Sequence, residues 1–145
     1  MRAVVQRVLA ARVTVADGVV GEVGPGLCVL VGVAAGDDEG TAARLAGRVA
    51  RLRIFENDAG KFDRSLLETG GGALVVSQFT LLADSTRGTR PDFSAAAPRD
   101  RAELLYERFS HELRALGVTT ATGRFGARMV VEIENDGPVT IVLDA

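Results

Sequence analysis

Two apolar runs limit what this chain can become more than any other feature. "GLCVLVGVA" at 26–34 and "GGALVVSQFTL" at 71–81 are apolar at successive positions rather than at alternate ones. A strand built that way must be covered on both faces. Helical cover is in short supply. Ala42, Leu45, Ala46, Val49, Ala50 and Leu52 keep helical spacing, which predicts an amphipathic helix near 38–53 with Asp37 or Asp38 as its cap. A second helix is predicted over 97–117, with Pro98 near its start, Gly117 as its stop, and a stripe of Ala102, Leu105, Tyr106, Phe109, Leu113 and Leu116. Two helices cannot blanket a large sheet on both sides. Some sheet surface must therefore pack on sheet, or on a second subunit.

The remaining punctuation fits a mixed α/β domain. "RAVVQRV" (2–8) and "RVTVA" (12–16) read as strands, and "ADG" at 16–18 reads as the turn of a hairpin into "VVGEVG" (19–24). "ENDAGKF" (56–62) reads as a turn. "RMVVEIEN" (128–135) and "PVTIVLD" (138–144) read as two late strands joined by a hairpin-like "DG". No repeat or linker divides the chain, so one domain over 1–145 is expected. One cysteine excludes an internal disulfide and suits a reducing compartment. The arginine-interrupted start lacks the form of a signal peptide, and no apolar stretch approaches the ~20 residues of a membrane span. The expected location is cytoplasmic.

Charge excludes wholesale coating of nucleic acid, because the net charge is −2. Lys61 is the only lysine, and Arg87, Arg90, Arg99 and Arg101 flank the glycine- and proline-rich segment after residue 82. They are either a solvated surface or a local phosphate-facing patch.

What the chain lacks is equally informative. His111 is the only histidine and lies off the apolar stripe of its helix, so a Ser-His-Asp triad would have to recruit it from a solvent-facing position. Cys28 lies within an apolar strand, as a small core residue would. No cluster has metal-ligand spacing, and the glycines at 70–72 precede a strand rather than a helix, so neither a metal nor a nucleotide cofactor is expected. Ser77, Gln78 and Thr80 remain, where the second apolar run turns polar. They either cap strand-end backbone groups or mark a site that presents main-chain N–H donors to a substrate carbonyl. If the strand continues, Ser77 and Phe79 share one face, and Gln78 and Thr80 the other.

"SQFTL" at 77–81 together with "NDGPVT" at 135–140 resembles the paired signature of the D-aminoacyl-tRNA deacylases, also known as D-tyrosyl-tRNA deacylases. The resemblance extends through "MRAVVQRV" at the start, "VGEVGPGL" (20–27), "LRIFEND" (52–58), "RPDFSAAAP" (90–98) and "GRFGARM" (123–129). It implies an α/β fold: a single layered domain of mixed β-sheet with two main helices on one side, working as a homodimer with active sites at the interface. It implies a cofactor-free hydrolase of chiral proofreading in translation, which releases D-amino acids or glycine from the 3′-terminal adenosine of tRNA. Ser77, Gln78, Phe79 and Thr80 would form the catalytic floor. Gly137 and Pro138, as a cis dipeptide from the other subunit, would exclude L side chains, while Ala96, Phe125 and Met129 would surround the adenosine. The missing base is explained if the 2′-hydroxyl of the terminal ribose assists water. Thr80 as nucleophile is the rival, weakened by having no base beside it. Leu82 and Ala95 depart from the commoner aromatic and glycine of the family. Two other readings stand beside this one: a non-catalytic module that binds aminoacyl-tRNA ends, and a serine or threonine esterase of small esters.

Overall fold

The computed structural model describes all residues, Met1–Ala145. Strand β1 (Arg2–Val15) is the spine. Along one edge it pairs antiparallel with β8 (Val130–Asp144); along the other it pairs with β3 (Gly26–Gly32) in its first half and β2 (Gly18–Val23) in its second. Parallel strands β6 (Gly72–Ser77) and β7 (Thr120–Thr122) extend the sheet beyond β3. The sheet curls until β7 approaches β2. A Cβ built on Gly21 would collide with the Thr122 carbonyl, so only glycine permits this barrel-like closure.

The two apolar runs are covered on both faces. Leu27, Val29 and Val31 of β3 and Ala73 and Val75 of β6 pack toward helices α1 (Glu39–Arg51) and α3 (Arg99–Ala115) in the larger core. Their alternates Cys28, Leu74 and Val76 join Val8, Ala11 and Val13 inside the barrel. Both main helices therefore lie on one side, and sheet packs on sheet on the other. Asp38 caps α1 through a reciprocal pair with Thr41. Asp37 instead accepts from the Met1 amino group at 2.7 Å. A short strand pair, β4 (Phe55–Glu56) and β5 (Phe62–Arg64), brackets the expected turn, and the one-turn helix α2 (Leu66–Thr69) follows, which the sequence patterns did not predict.

Three expectations need correction. The segments 2–8 and 12–16 form one strand, because β8 supplies a continuous partner across the alanine-rich gap. The "DG" at 136–137 is no hairpin: β8 runs straight through it. Gln6 pairs with Thr140 and Val8 with Asn135, so residues 136–139 bulge out opposite Arg7 alone. Finally, the strand expected over 71–81 stops at Ser77, and the chain tightens into a 3-10 turn at Phe79–Leu82.

Candidate active site

That early strand end builds the site. The Gln78 N–H still reaches the Val31 carbonyl at 2.8 Å, but the next backbone bond, Leu81 N–H to Gln78 C=O at 3.2 Å, belongs to the turn. The N–H groups of Phe79 and Thr80 precede the first bond inside the turn, the position where helical turns leave donors unpaired. Leu82 folds back onto Gly32, where any Cβ would strike it, and Arg2 Nη1 donates to the Leu81 carbonyl at 3.1 Å. The turn is thus held from two directions. The alternating-face expectation falls away, because Ser77, Gln78 and Phe79 all face a single cavity.

The cavity encloses about 550 Å³, within the usual range for small-molecule sites. Its walls come from the end of β6, the start of α3, and the loop after β7 that brings in Phe125 and Met129. Five of the expected site residues therefore meet: Ser77, Gln78, Phe79, Phe125 and Met129. Thr80 lies just outside the lining, and its Oγ1 accepts from Gln78 Nε2. Ala96 is also outside. It bridges to Ala34, and its neighbour Ala97, whose N–H reaches the Val33 carbonyl at 2.9 Å, forms the wall instead.

Tyr106 stands behind the wall, outside the lining, and the patterns did not single it out. Its hydroxyl donates to the Val75 carbonyl at 2.9 Å, and its ring lies 5.8 Å from that of Phe125. Burial pushes the phenol up to about 12, so it remains a donor. Only its place in an amphipathic stripe was visible in sequence, which reads as core. Arg99 was noted merely as one of several arginines, yet it is the one charged residue in the lining. No carboxylate, histidine, cysteine or lysine faces the cavity. His111 is exposed on α3, and Cys28 is fully buried with its thiol pushed up to about 11 by desolvation.

Gly137 and Pro138 are joined by a cis peptide and are exposed on the β8 bulge. Beneath them Arg7, only 6% exposed, donates to the Ile54 carbonyl at 2.8 Å, and its Nε lies 3.2 Å from Asp136. Asn135 closes the neck of the bulge, accepting from the Val139 N–H at 3.3 Å and donating to Thr140 at 3.1 Å. This bulge is not beside the cavity. Arg7 pairs with Leu27, and Leu27 with Ala73, whereas the site begins at Ser77. Four residues of strand separate the two levels, roughly 13 Å along the sheet.

The sequence matches, over residues 4–144, the family described as D-Tyr-tRNA(Tyr) deacylase. The chain belongs to that family. Among similar proteins named D-aminoacyl-tRNA deacylase, that of Cereibacter sphaeroides is 57% identical over 145 residues, covering 100% of both chains. That of Roseiflexus sp. is 59% identical and covers 100% of this chain and 94% of the relative. Two solved structures superimpose over nearly the whole length. One, described as c-Myc DNA Unwinding Element Binding Protein, is 40% identical with a TM-score of 0.93, covering 100% of this chain and 99% of the other. The other, described as a probable eukaryotic D-amino acid tRNA deacylase, has a TM-score of 0.89 at 21% identity, covering 99% and 98%, and speaks to the fold alone. No helix of this family member is long and apolar enough to cross a membrane.

Proposed function

We propose that the chain is a cytoplasmic, single-domain deacylase that hydrolyses the ester of D-aminoacyl-tRNA, and of glycyl-tRNA, at the 3′-terminal adenosine. The observation that carries this reading is a cavity walled in part by Phe79 and Phe125, lined by Ser77 and Gln78 at the strand end and by no carboxylate, histidine, cysteine or lysine, in a chain of this family. Phe125 and Met129 flank the adenosine, and the aminoacyl carbonyl faces the Ser77–Thr80 floor. Water bonds to the carbonyl carbon, and the ribose 2′-hydroxyl takes its proton while passing its own to the departing 3′-oxygen. The developing oxyanion is met by main-chain N–H groups, which need no titration. Ser77 and Gln78 position the ester, and Thr80 braces Gln78 rather than attacking.

The site is completed in a homodimer. Gly137–Pro138 lies away from the cavity of its own protomer, which supports a reading in which the pair covers that of a second copy. Exposed Leu9, Val130 and Val142 on β1 and β8 offer apolar surface for such pairing. There the two carbonyls occupy the direction of an L β-carbon, whereas glycine has none to exclude.

Incubating the protein with D-aminoacyl-tRNA ending in adenosine or in 2′-deoxyadenosine tests the chemistry. Release of free amino acid from the first and little from the second is expected. Equal release from both returns the reaction to a protein nucleophile, and retention without release makes the chain a binding module. Light scattering tests the assembly: a monomer at micromolar concentration would remove the chirality filter from the scheme.

A further inference from the structure

The geometry points to Arg99 as the residue that grips the phosphate linking the terminal nucleoside to the rest of the RNA. This inference rests on the nucleoside-end reading of the cavity and goes beyond it, by assigning a second, charged contact at the rim.

Arg99 opens α3 at the edge of the cavity and is exposed. Its guanidinium leans across the Phe125 ring, 5.9 Å from the centroid, and rests over Gly126, where a built Cβ would collide with it. The loop therefore leaves room for this group. Arg124 and Arg128 of the Phe125 loop are also without a salt bridge, but neither lines the cavity, whereas Arg99 does; the other arginines of α3 and its start are engaged. Arg101 donates to the Asp37 carbonyl at 3.2 Å, Arg108 pairs with Glu112 at 2.6 Å, and Arg114 donates to the Thr120 carbonyl at 3.2 Å. Arg99 forms no salt bridge and no side-chain hydrogen bond, although Glu103 follows it by one helical turn.

An unpaired planar fork beside an aromatic nucleoside wall suits a phosphodiester. With the 3′-ester at the Ser77–Phe79 floor and the base against Phe125 and Met129, the 5′ side of the ribose points back to the rim. The phosphate leaves there. Because the protein carries a net charge of −2, no general field substitutes for a cation placed at the cavity rim.

Two substrates separate this contact from the pocket: D-aminoacyl-tRNA, and 3′-O-D-aminoacyl-adenosine, which has no phosphate. Arg99→Ala should raise KM for the tRNA about tenfold and leave kcat within about twofold. It should also flatten the salt dependence of kcat/KM by about one phosphate contact, while KM for the adenosine ester rises by distinctly less, since there only the packing of Arg99 on Phe125 is lost. Arg99→Lys should retain most of the salt slope. Because this exposed side chain makes no hydrogen bond, the melting temperature should not move. Equal loss on both substrates would place Arg99 against the base and overturn the phosphate assignment, as would an unchanged KM for the tRNA. If the wild-type protein hydrolysed neither substrate, the deacylase reading would fail first and this inference with it.

Discussion

The two ends of the sheet present opposite kinds of surface. At the end of β6 the chain closes a cavity and walls it with aromatic and small apolar side chains. At the β8 bulge it does the reverse, pushing an exposed Gly137–Pro138 outward over a buried arginine and its carboxylate partners. The contrast teaches that the cavity and the bulge are separate features held apart by the rigid spacing of β3 and β6, so on the proposed reading discrimination and chemistry can be damaged separately.

The strongest attack on that comparison is to delete residues 137 and 138. Hydrolysis of D-aminoacyl-tRNA should persist, whereas discrimination against matched L-aminoacyl-tRNA should fall by about 1,000-fold or more, because nothing then opposes an L β-carbon. Unchanged discrimination would detach the bulge from the site. Next in size is Arg7→Met, which removes a buried charge from beneath the bulge and leaves Asp136 and Glu56 without it. A urea melt should show a loss of about 2–3 kcal/mol, chiefly the buried Ile54 carbonyl losing its charged donor, with adenosine binding at the cavity end unaffected. A coupled loss of adenosine binding would mean the ends are not independent.

The strand between them can be probed through Cys28. Its thiol titrates near 9.0 when unfolded and near 11 when folded, so its contribution to stability is intact below pH 9 and is lost as pH climbs to 11. Relative to Cys28→Val, the wild type should lose up to about 3 kcal/mol across that window, measured by urea melts at each pH. Tyr106→Phe sharpens the cavity side. The Val75 carbonyl keeps the Gly123 N–H at 3.1 Å, so thermal unfolding should show a cost of only about 1 kcal/mol. Smallest of all, Thr80→Ala should hold kcat within about threefold, since its hydroxyl merely accepts from Gln78. A complete loss with intact folding would make Thr80 the nucleophile.

Much of this was legible in residue patterns, and the failures share a cause. Both main helices, the cap at Asp38, and the double-sided burial of β3 and β6 follow from short-range periodicity. The 3-10 turn was hidden because Leu81 and Leu82 prolong the apolar run, and Leu82 is apolar in order to seat on Gly32, fifty residues earlier. The "DG" at 136–137 looks like a hairpin until β1 is seen to pair on both sides of it. Barrel closure depends on Gly21 meeting Thr122, a contact with no local signature. The signature residues Ser77, Gln78, Phe79, Phe125 and Met129 fall on one cavity, while Arg99 in its lining and Tyr106 behind its wall were camouflaged as surface charge and core stripe.

A cavity whose lining lacks any acid, imidazole, thiol or amine has a practical corollary for screening. Fluorophosphonates, chloromethyl ketones and other warheads find enzymes by reacting with an activated side chain, and here they have nothing to seize. Such reagents would pass over this hydrolase in a cell extract, whereas a non-cleavable amide mimic of the charged RNA end would retain it.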